Sequence, residues 1–519
     1  MKLALAALAM AAACRAQVLD PAAFRHYAQE FSRDDPDHIS GAIPDDEAWE
    51  WMRANVPLLS VPDPELERIY YYRWWAFRKH IESTPAGYVL TEFLRPVKHS
   101  TDYNAISCAL GLHIAEGRWL RDPRYLNDYI AFWLHGENGG LERHYHQFSN
   151  WTAAALYGRW LADGDTARLT AQLDALIADY RAWEAERLTP GGLFWQRDVS
   201  DGMESSISGG RRVKNLRPTI NGYQYGNAKA IAAIAALAGR DSVRDEYQRK
   251  AAELRRLTEE KLWNPAAGFF ETVLENGGFA GVRELIGYTP WAFDLPEPGR
   301  GYESAWKQAA DPKGFAAPYG LTTAEQRHPG FVIARTGDDC QWNGPVWPFA
   351  TSVTLTAMAN VLDHYPQDAI SARDYFAALQ TYVKSQHRKL AGGRVIPWVD
   401  ENLDPFTGIW LARDLKIHKG TFYGRGDHYN HSSFADLVIT GLIGLRPRAG
   451  NTVEVNPLLP DGTWDWYCLD AVPYHGKLLT ILWDRTGNRF HKGAGLRVFS
   501  GGREIAHSTA LARLTTSPI

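Results

Sequence analysis

The chain has 519 residues, 45% of them hydrophobic and 22% charged, and a formal charge of -4. That balance buries a large core and excludes disorder for most of the length. It offers no basic field for a polyphosphate partner, so nucleic acid is excluded as a ligand and a neutral or small partner is expected. The 20 Trp, 24 Tyr and 20 Phe exceed what core packing alone uses, and the surplus suits stacking on the C–H faces of sugar rings.

Residues 1–16 read as a secretory signal: Lys2 gives the charged start, Leu3 to Ala13 a short apolar run, and Ala16 a small residue for cleavage. The run is too short to span a membrane. The expectation is export, to a periplasmic or extracellular site, with lipidation at Cys14 as the alternative. Beyond it Cys108, Cys340 and Cys468 are too few, and odd in number, for a disulfide framework. Neither CxxC nor HExxH occurs, so no metal site is announced and no cofactor is expected.

Apolar residues three and four apart dominate from about 46 to 445. They predict helices over 46–54, 64–82, 103–116, 124–135, 149–163, 166–185, 224–238, 241–262, 302–309, 347–362, 371–386 and 430–444. Short turns such as Ala162 to Asp165 and Ala238 to Asp241 join neighbours as αα-hairpins. Six such hairpins make an all-α (α/α)6 toroid, over residues 17–447. Long Gly- and Trp-rich loops fall at 187–223, 263–300, 311–346 and 392–429, and a ligand funnel can be built only from the face that carries them. From about 450 the period becomes two, at 452–455, 478–484 and 495–499, with turn signals at Thr486 to Asn488 and Ser500 to Gly502. A small antiparallel β appendage over 448–508 follows, then a loose tail at 509–519.

Three of the loops bring carboxylates beside aromatic side chains: Trp195 to Ser206, Cys340 to Pro348, and Trp398 to Gly408. Cleaving a glycosidic bond takes one carboxylic acid to protonate the departing oxygen and one carboxylate to activate water or attack carbon. Glu204 and Glu401 can supply both. The bland reading of Glu401 is a cap on the Asp404-Pro405 turn; that of Glu204 is a solvated loop residue, with Asp201 and Asp198 as its rivals. Burial against Trp195, Met203 or Trp342 would keep the acid protonated.

Around that pair, Trp195, Asp201, Asp339, Trp342, Asn343, Trp347 and Trp398 are candidate substrate contacts. His428 and His431 could bind sugar, although each alone is more often structural. Tyr225 could line the funnel or simply pack at the opening of a helix. Tyr88 to Phe93, with Glu92 in it, is a further aromatic and carboxylate cluster that ranks below the three loops.

Trp342-Asn343-Gly344-Pro345-Val346-Trp347-Pro348 and Glu401-Asn402-Leu403-Asp404-Pro405-Phe406-Thr407-Gly408 resemble two loops of the six-hairpin glycosidases of glycoside hydrolase family 63, the mannosylglycerate hydrolases and the MGH1-like glycoside hydrolase domain. Leu403 stands where the family carries an aromatic residue. The resemblance implies that Glu401 is the general base and that Asp201-Gly202-Met203-Glu204-Ser205-Ser206 carries the acid, with Glu204 where the family has Asp. It also implies an inverting reaction, whose two carboxyl groups stand roughly 6.5–9.5 Å apart; roughly 5 Å would mean retention. A toroid closed by several long loops favours exo action on an oligosaccharide or glycoside. A polysaccharide lyase using Arg425, His428, Tyr429 and Asn430, and a non-catalytic carbohydrate-binding scaffold, are the alternatives.

Overall fold

A computed structural model describes residues 17–39, 41–136 and 139–519, so the expected signal segment and Cys14 lie outside the described residues. A helix-rich body is followed by a C-terminal antiparallel sheet. Several helices open on a proline, because Pro at the first helical position carries a φ already suited to the helix and lacks an N–H that would have no intrahelical partner. Pro64–Lys79, Pro218–Leu237 and Pro348–His364 all begin this way, the first with Asp63 also capping the N–H groups of Glu65 and Leu66. Ser371 and Asp374 form a reciprocal capping box on Ala372–Ser385.

Some boundaries differ from the expectation. The 166–185 segment divides into Thr166–Thr170 and Leu173–Arg187. The helix expected from 224 starts at Pro218, so Asn221 belongs to it, and its side chain bonds both backbone groups of Phe194. The helix expected over 430–444 narrows to a π-helical segment, Leu437–Leu442, because residues 429–431 lie beside 91–92 instead of coiling. There Asn430 N–H donates to the Glu92 carbonyl and Asn430 Nδ2 to that of Thr91. Leu411–His418, inside the loop expected over 392–429, is a helix.

The main sheet has the order Leu58–Ser60, Trp466–Tyr474, Lys477–Asp484, Gly495–Ser500, Arg503–Ser508, all antiparallel. Tight two-residue turns close two of its hairpins, at His475-Gly476 and Gly501-Gly502, each with positive φ at both positions. Trp466–Tyr474 was not legible as a strand because nearly all of its residues are buried, so no alternation marks it. The tail is not loose: Leu514–Thr515 pairs with Glu454–Val455 and Ile519 N–H bonds Asn451. The sheet's edge strand Leu58–Ser60 comes from the helical half of the chain, which ties the two regions together. Among the described residues no helix is long and apolar enough to cross a membrane.

Candidate active site

Glu401 lies at the centre of the site. It is 1% exposed, yet it does not cap the turn that follows it. Asp404 does that, accepting the N–H groups of Phe406 (2.8 Å) and Thr407 (3.3 Å), while Arg335 holds its other oxygen. Gly408 must be glycine, since its φ is +73° and a Cβ would meet the Tyr319 ring at 2.5 Å. Glu401 is left to two cations: Lys416 Nζ donates to Oε1 at 2.8 Å and Arg425 Nη2 to Oε2 at 3.1 Å.

Lys416 lies on the buried face of Leu411–His418 beside Ala412 and Leu415. It also reaches Asp339 Oδ2 at 2.7 Å. Burial works against the charges on Lys416 and Arg425, but Glu401 overrides it and raises both. Burial likewise opposes the charge on Asp339, and Lys416 with Arg425 holds it below the usual carboxylate range.

Glu204 sits in the first of the three loops, where Asp198–Asp201 forms a tight turn ending at Gly202. Its rivals are both committed. Asp201 is fully buried against Arg217 Nε (2.6 Å) and Thr219 Oγ1 (2.5 Å), a correction to its expected contact with substrate. Asp198 accepts the N–H groups of Val199 and Gly210. Glu204 makes no ion pair among the described residues, and the thiol of Cys340 donates to its Oε2 at 2.7 Å. Burial pushes its carboxyl above the ordinary range, with Asp338 adding to that and Cys340 opposing it. Cys340 stays a thiol, raised by burial and then by Glu204 and Glu401, so it spans the two carboxylates electrostatically. Ser205, the next residue, takes a left-handed φ of +57° and donates to Asp338 at 2.9 Å, a local strain of the kind that gathers at functional sites.

A third carboxyl, Glu92, ranked low in the sequence and belongs to the same group. Glu401 and Glu204 both act on it, as does Arg425. Burial raises it to about 8, against the pull of Tyr429, whose hydroxyl donates to Oε1 at 2.6 Å. The same hydroxyl meets His431 Nδ1 at 2.5 Å. Two buried imidazoles fix this stretch from behind: His80 Nε2 is 2.8 Å from the His428 carbonyl and His113 Nε2 is 2.6 Å from that of Asn430. The sequence held one signal for Glu92, a carboxylate between Tyr88 and Phe93. For Lys416 it held none, since a lysine in a short amphipathic stretch reads as solvated.

Of the expected contacts, Trp342, Trp347, Asn343, Asp339 and His431 join this assembly. Trp342 and Trp347 stack on each other at 4.6 Å, and the wall continues through Phe349 to His431 at 4.6 Å. Asn343 leaves a buried Oδ1 without a protein partner. Trp195, Tyr225, Trp398 and His428 do not join it. Gln196 is fully buried, so its strand neighbour Trp195 points the other way, between Arg187 (4.5 Å) and Lys214 (4.7 Å). Tyr225 bonds Arg255 and the Asp294 carbonyl. Trp398 is buried under Arg388, 3.7 Å from its ring, and against His428. His428 is clamped by Tyr72 (2.9 Å) and Asp35 (2.6 Å), which ties up one of the two bases, His428 and Tyr429, that the lyase alternative offers.

A helix-rich body whose loops gather three carboxyls, one on two cations and two raised by burial, has the chemistry of a glycoside hydrolase. The chain belongs to the mannosylglycerate hydrolase MGH1-like glycoside hydrolase domain family, whose model matches residues 102–432. Residues 445–507 match the C-terminal domain of glycosyl hydrolase family 65. Among solved structures, one described as a sialidase is 48% identical with a TM-score of 0.92; the match covers 96% of this chain and 45% of that one. This chain therefore spans less than half of that relative's length. A family 78 rhamnosidase of Bacillus sp. GL1 shares the fold at 12% identity, TM-score 0.54, over 86% of this chain and 41% of that one. An uncharacterized conserved protein from Thermus thermophilus does so at 17% identity, TM-score 0.50, over 72% and 99%.

Proposed function

We propose that the chain hydrolyses a glycosidic bond by general acid and base catalysis, with Glu401 activating water and Glu204 protonating the leaving oxygen. The observation that carries this reading is the unequal treatment of the two carboxyls. Glu401 is bonded to Lys416 and Arg425, whereas burial raises Glu204 and its bonded neighbour is an uncharged thiol. A base needs the ionised form and an acid the protonated one; two cations in contact suit the first role, and a buried setting with none in contact suits the second. Inversion and exo action belong to the proposal, as does the arrangement of the helices in six hairpins as an (α/α)6 toroid. So do the division into a catalytic region over 17–447 and a β-rich region over 448–508, and export directed by residues 1–16.

The substrate is a glycoside or oligosaccharide. The test is a panel of 4-nitrophenyl glycosides with mannosylglycerate, α-L-rhamnosides and sialosides included, followed by proton NMR of the first-formed anomer. A first product of opposite anomeric configuration supports inversion; the same configuration overturns it, and no turnover of any member overturns the glycosidase reading.

A further inference from the structure

Glu92 has no role in the reaction as set out above, and it carries a fully buried oxygen with no hydrogen-bond partner among the described residues. Its Oε1 accepts from Tyr429; its Oε2 is buried and has no partner in the protein. Near neutral pH burial keeps the group uncharged, helped by Glu401 and Glu204 and opposed by Tyr429 and Arg425. A neutral carboxylic acid whose Oε1 is already an acceptor carries its proton on Oε2. His431 completes the chain. Burial and His113 lower its imidazole to about 3, so it is neutral, and with Tyr429 donating to Glu92 its Nδ1 must carry the hydrogen and donate to the tyrosine oxygen. His431 Nε2 is then a bare acceptor, also buried and without a partner in the protein. The relay His431, Tyr429, Glu92 thus ends in one unmet acceptor and one unmet donor.

A buried donor with no acceptor costs free energy that a ligand oxygen would recover. Such a pair of ends matches a sugar hydroxyl, which both donates and accepts. It does not match a carboxylate or phosphate, which can only accept. We propose that Glu92 is an uncharged substrate-binding residue that donates a hydrogen bond from Oε2 to a glycone hydroxyl, held for that purpose by Tyr429 and His431. The proposal rests on the glycosidase reading and adds to it a hydroxyl-bearing glycone recognised by a neutral donor. The titratable or charged groups that act on Glu92 are Tyr429, His431 and Arg425 from the late segment, Glu401, Glu204, Cys108 from Ser107–Ala109 and Tyr129 from Arg124–His135.

The test compares E92Q with E92A in the full chain. Glutamine reproduces the neutral acid, since its oxygen accepts from Tyr429 and its amide donates where Oε2–H did; alanine removes both. On the 4-nitrophenyl glycoside that the wild type turns over fastest, E92A is expected to lose about 5- to 150-fold in kcat/KM, the usual span for one lost hydrogen bond to a substrate hydroxyl. E92Q is expected to lose about tenfold less. E92A at wild-type kcat/KM overturns the contact, and E92Q falling as far as E92A at every pH overturns it in favour of a proton that is given up in the reaction.

A second arm needs no substrate. The folded value of about 8 lies above the unfolded value near 4.5, so the stability contributed by the neutral form is complete below pH 4.5 and lost as pH rises through 8. The Tm of the wild type should therefore fall relative to that of E92Q between pH 5 and 8; parallel curves overturn the uncharged carboxyl. A wild type silent on every glycoside overturns the glycosidase reading and the sugar contact together, and the Tm curves still report whether Glu92 is neutral.

Discussion

Two clusters of buried acids lie in this molecule, and their surroundings differ in kind. At the junction between Pro348–His364 and the C-terminal β-rich region, Asp363 is surrounded by Arg448 (3.1 Å), Arg513 (2.6 Å), Arg446 (3.9 Å) and His364 (3.0 Å), with Asn456 donating at 2.7 Å. Burial alone would raise Asp363, but His364 and Arg446 override it and hold the carboxyl well below the usual range. In the site cluster Lys416 and Arg425 hold Glu401, with Lys416 also on Asp339, while Glu92 and Glu204 have no cation in contact and are raised. Asp363 is saturated with donors, whereas in the site cluster Glu92 Oε2, His431 Nε2 and Asn343 Oδ1 are buried with no hydrogen-bond partner among the described residues.

The sharpest way to break this comparison is to remove the charge from one member of each cluster. Glu401→Gln should lower kcat by about 10⁴-fold with circular dichroism unchanged, because water loses its base; steady-state kinetics beside a melting curve separates that from unfolding, and a loss under tenfold would end its assignment. Glu204→Gln follows at about 10²- to 10³-fold on a poor leaving group, with a smaller loss on 4-nitrophenol, which departs with little need of a proton. The raised carboxyl is active while protonated, so the wild-type rate should decline as pH rises past its value and Glu204→Gln should flatten that alkaline limb.

Asp363→Ala sharpens the other side. Leaving three arginines around a lost anion costs about 3–5 kcal/mol, and kcat per folded molecule should not change. Its partner His364 is raised to about 9 by Asp294 and Asp363, above an unfolded value of 6.5. That stabilisation is complete below pH 6.5 and lost as pH rises through 9, so His364→Gln should abolish that part of the Tm decline. Glu92 acts in the lower window, from about 4.5 to 8, so the two variants flatten different portions of one curve.

How much was legible follows the range of the interactions. Helices that begin with Pro64, Pro218 or Pro348 have local signals at their starts, and the Gly501-Gly502 turn closes a hairpin as composition alone suggests. Glu401 and Glu204 were singled out through loop motifs. Lys416, Glu92 and the fate of Asp201 were not, because each depends on a partner distant in sequence or on burial that no local pattern encodes. Arg217, which neutralises Asp201, lies 16 residues away, and Tyr429 lies 337 from Glu92. Trp466–Tyr474 was hidden for a related reason: a strand buried on both faces has lost the alternation that would betray it.

The smallest effect belongs to the aromatic residue that composition made most attractive. Trp195 adjoins the catalytic loop in sequence and is an obvious sugar platform by residue type, but its ring is already flanked by Arg187, Lys214 and Arg197. Cation–π contacts at such a partly exposed position are worth about 0.5–1 kcal/mol, so Trp195→Ala should lower stability by about that much and leave kcat/KM within about twofold. A tenfold rise in KM would put the ring on the substrate after all and undo the division between acids that handle protons and aromatic residues that only brace the loops around them.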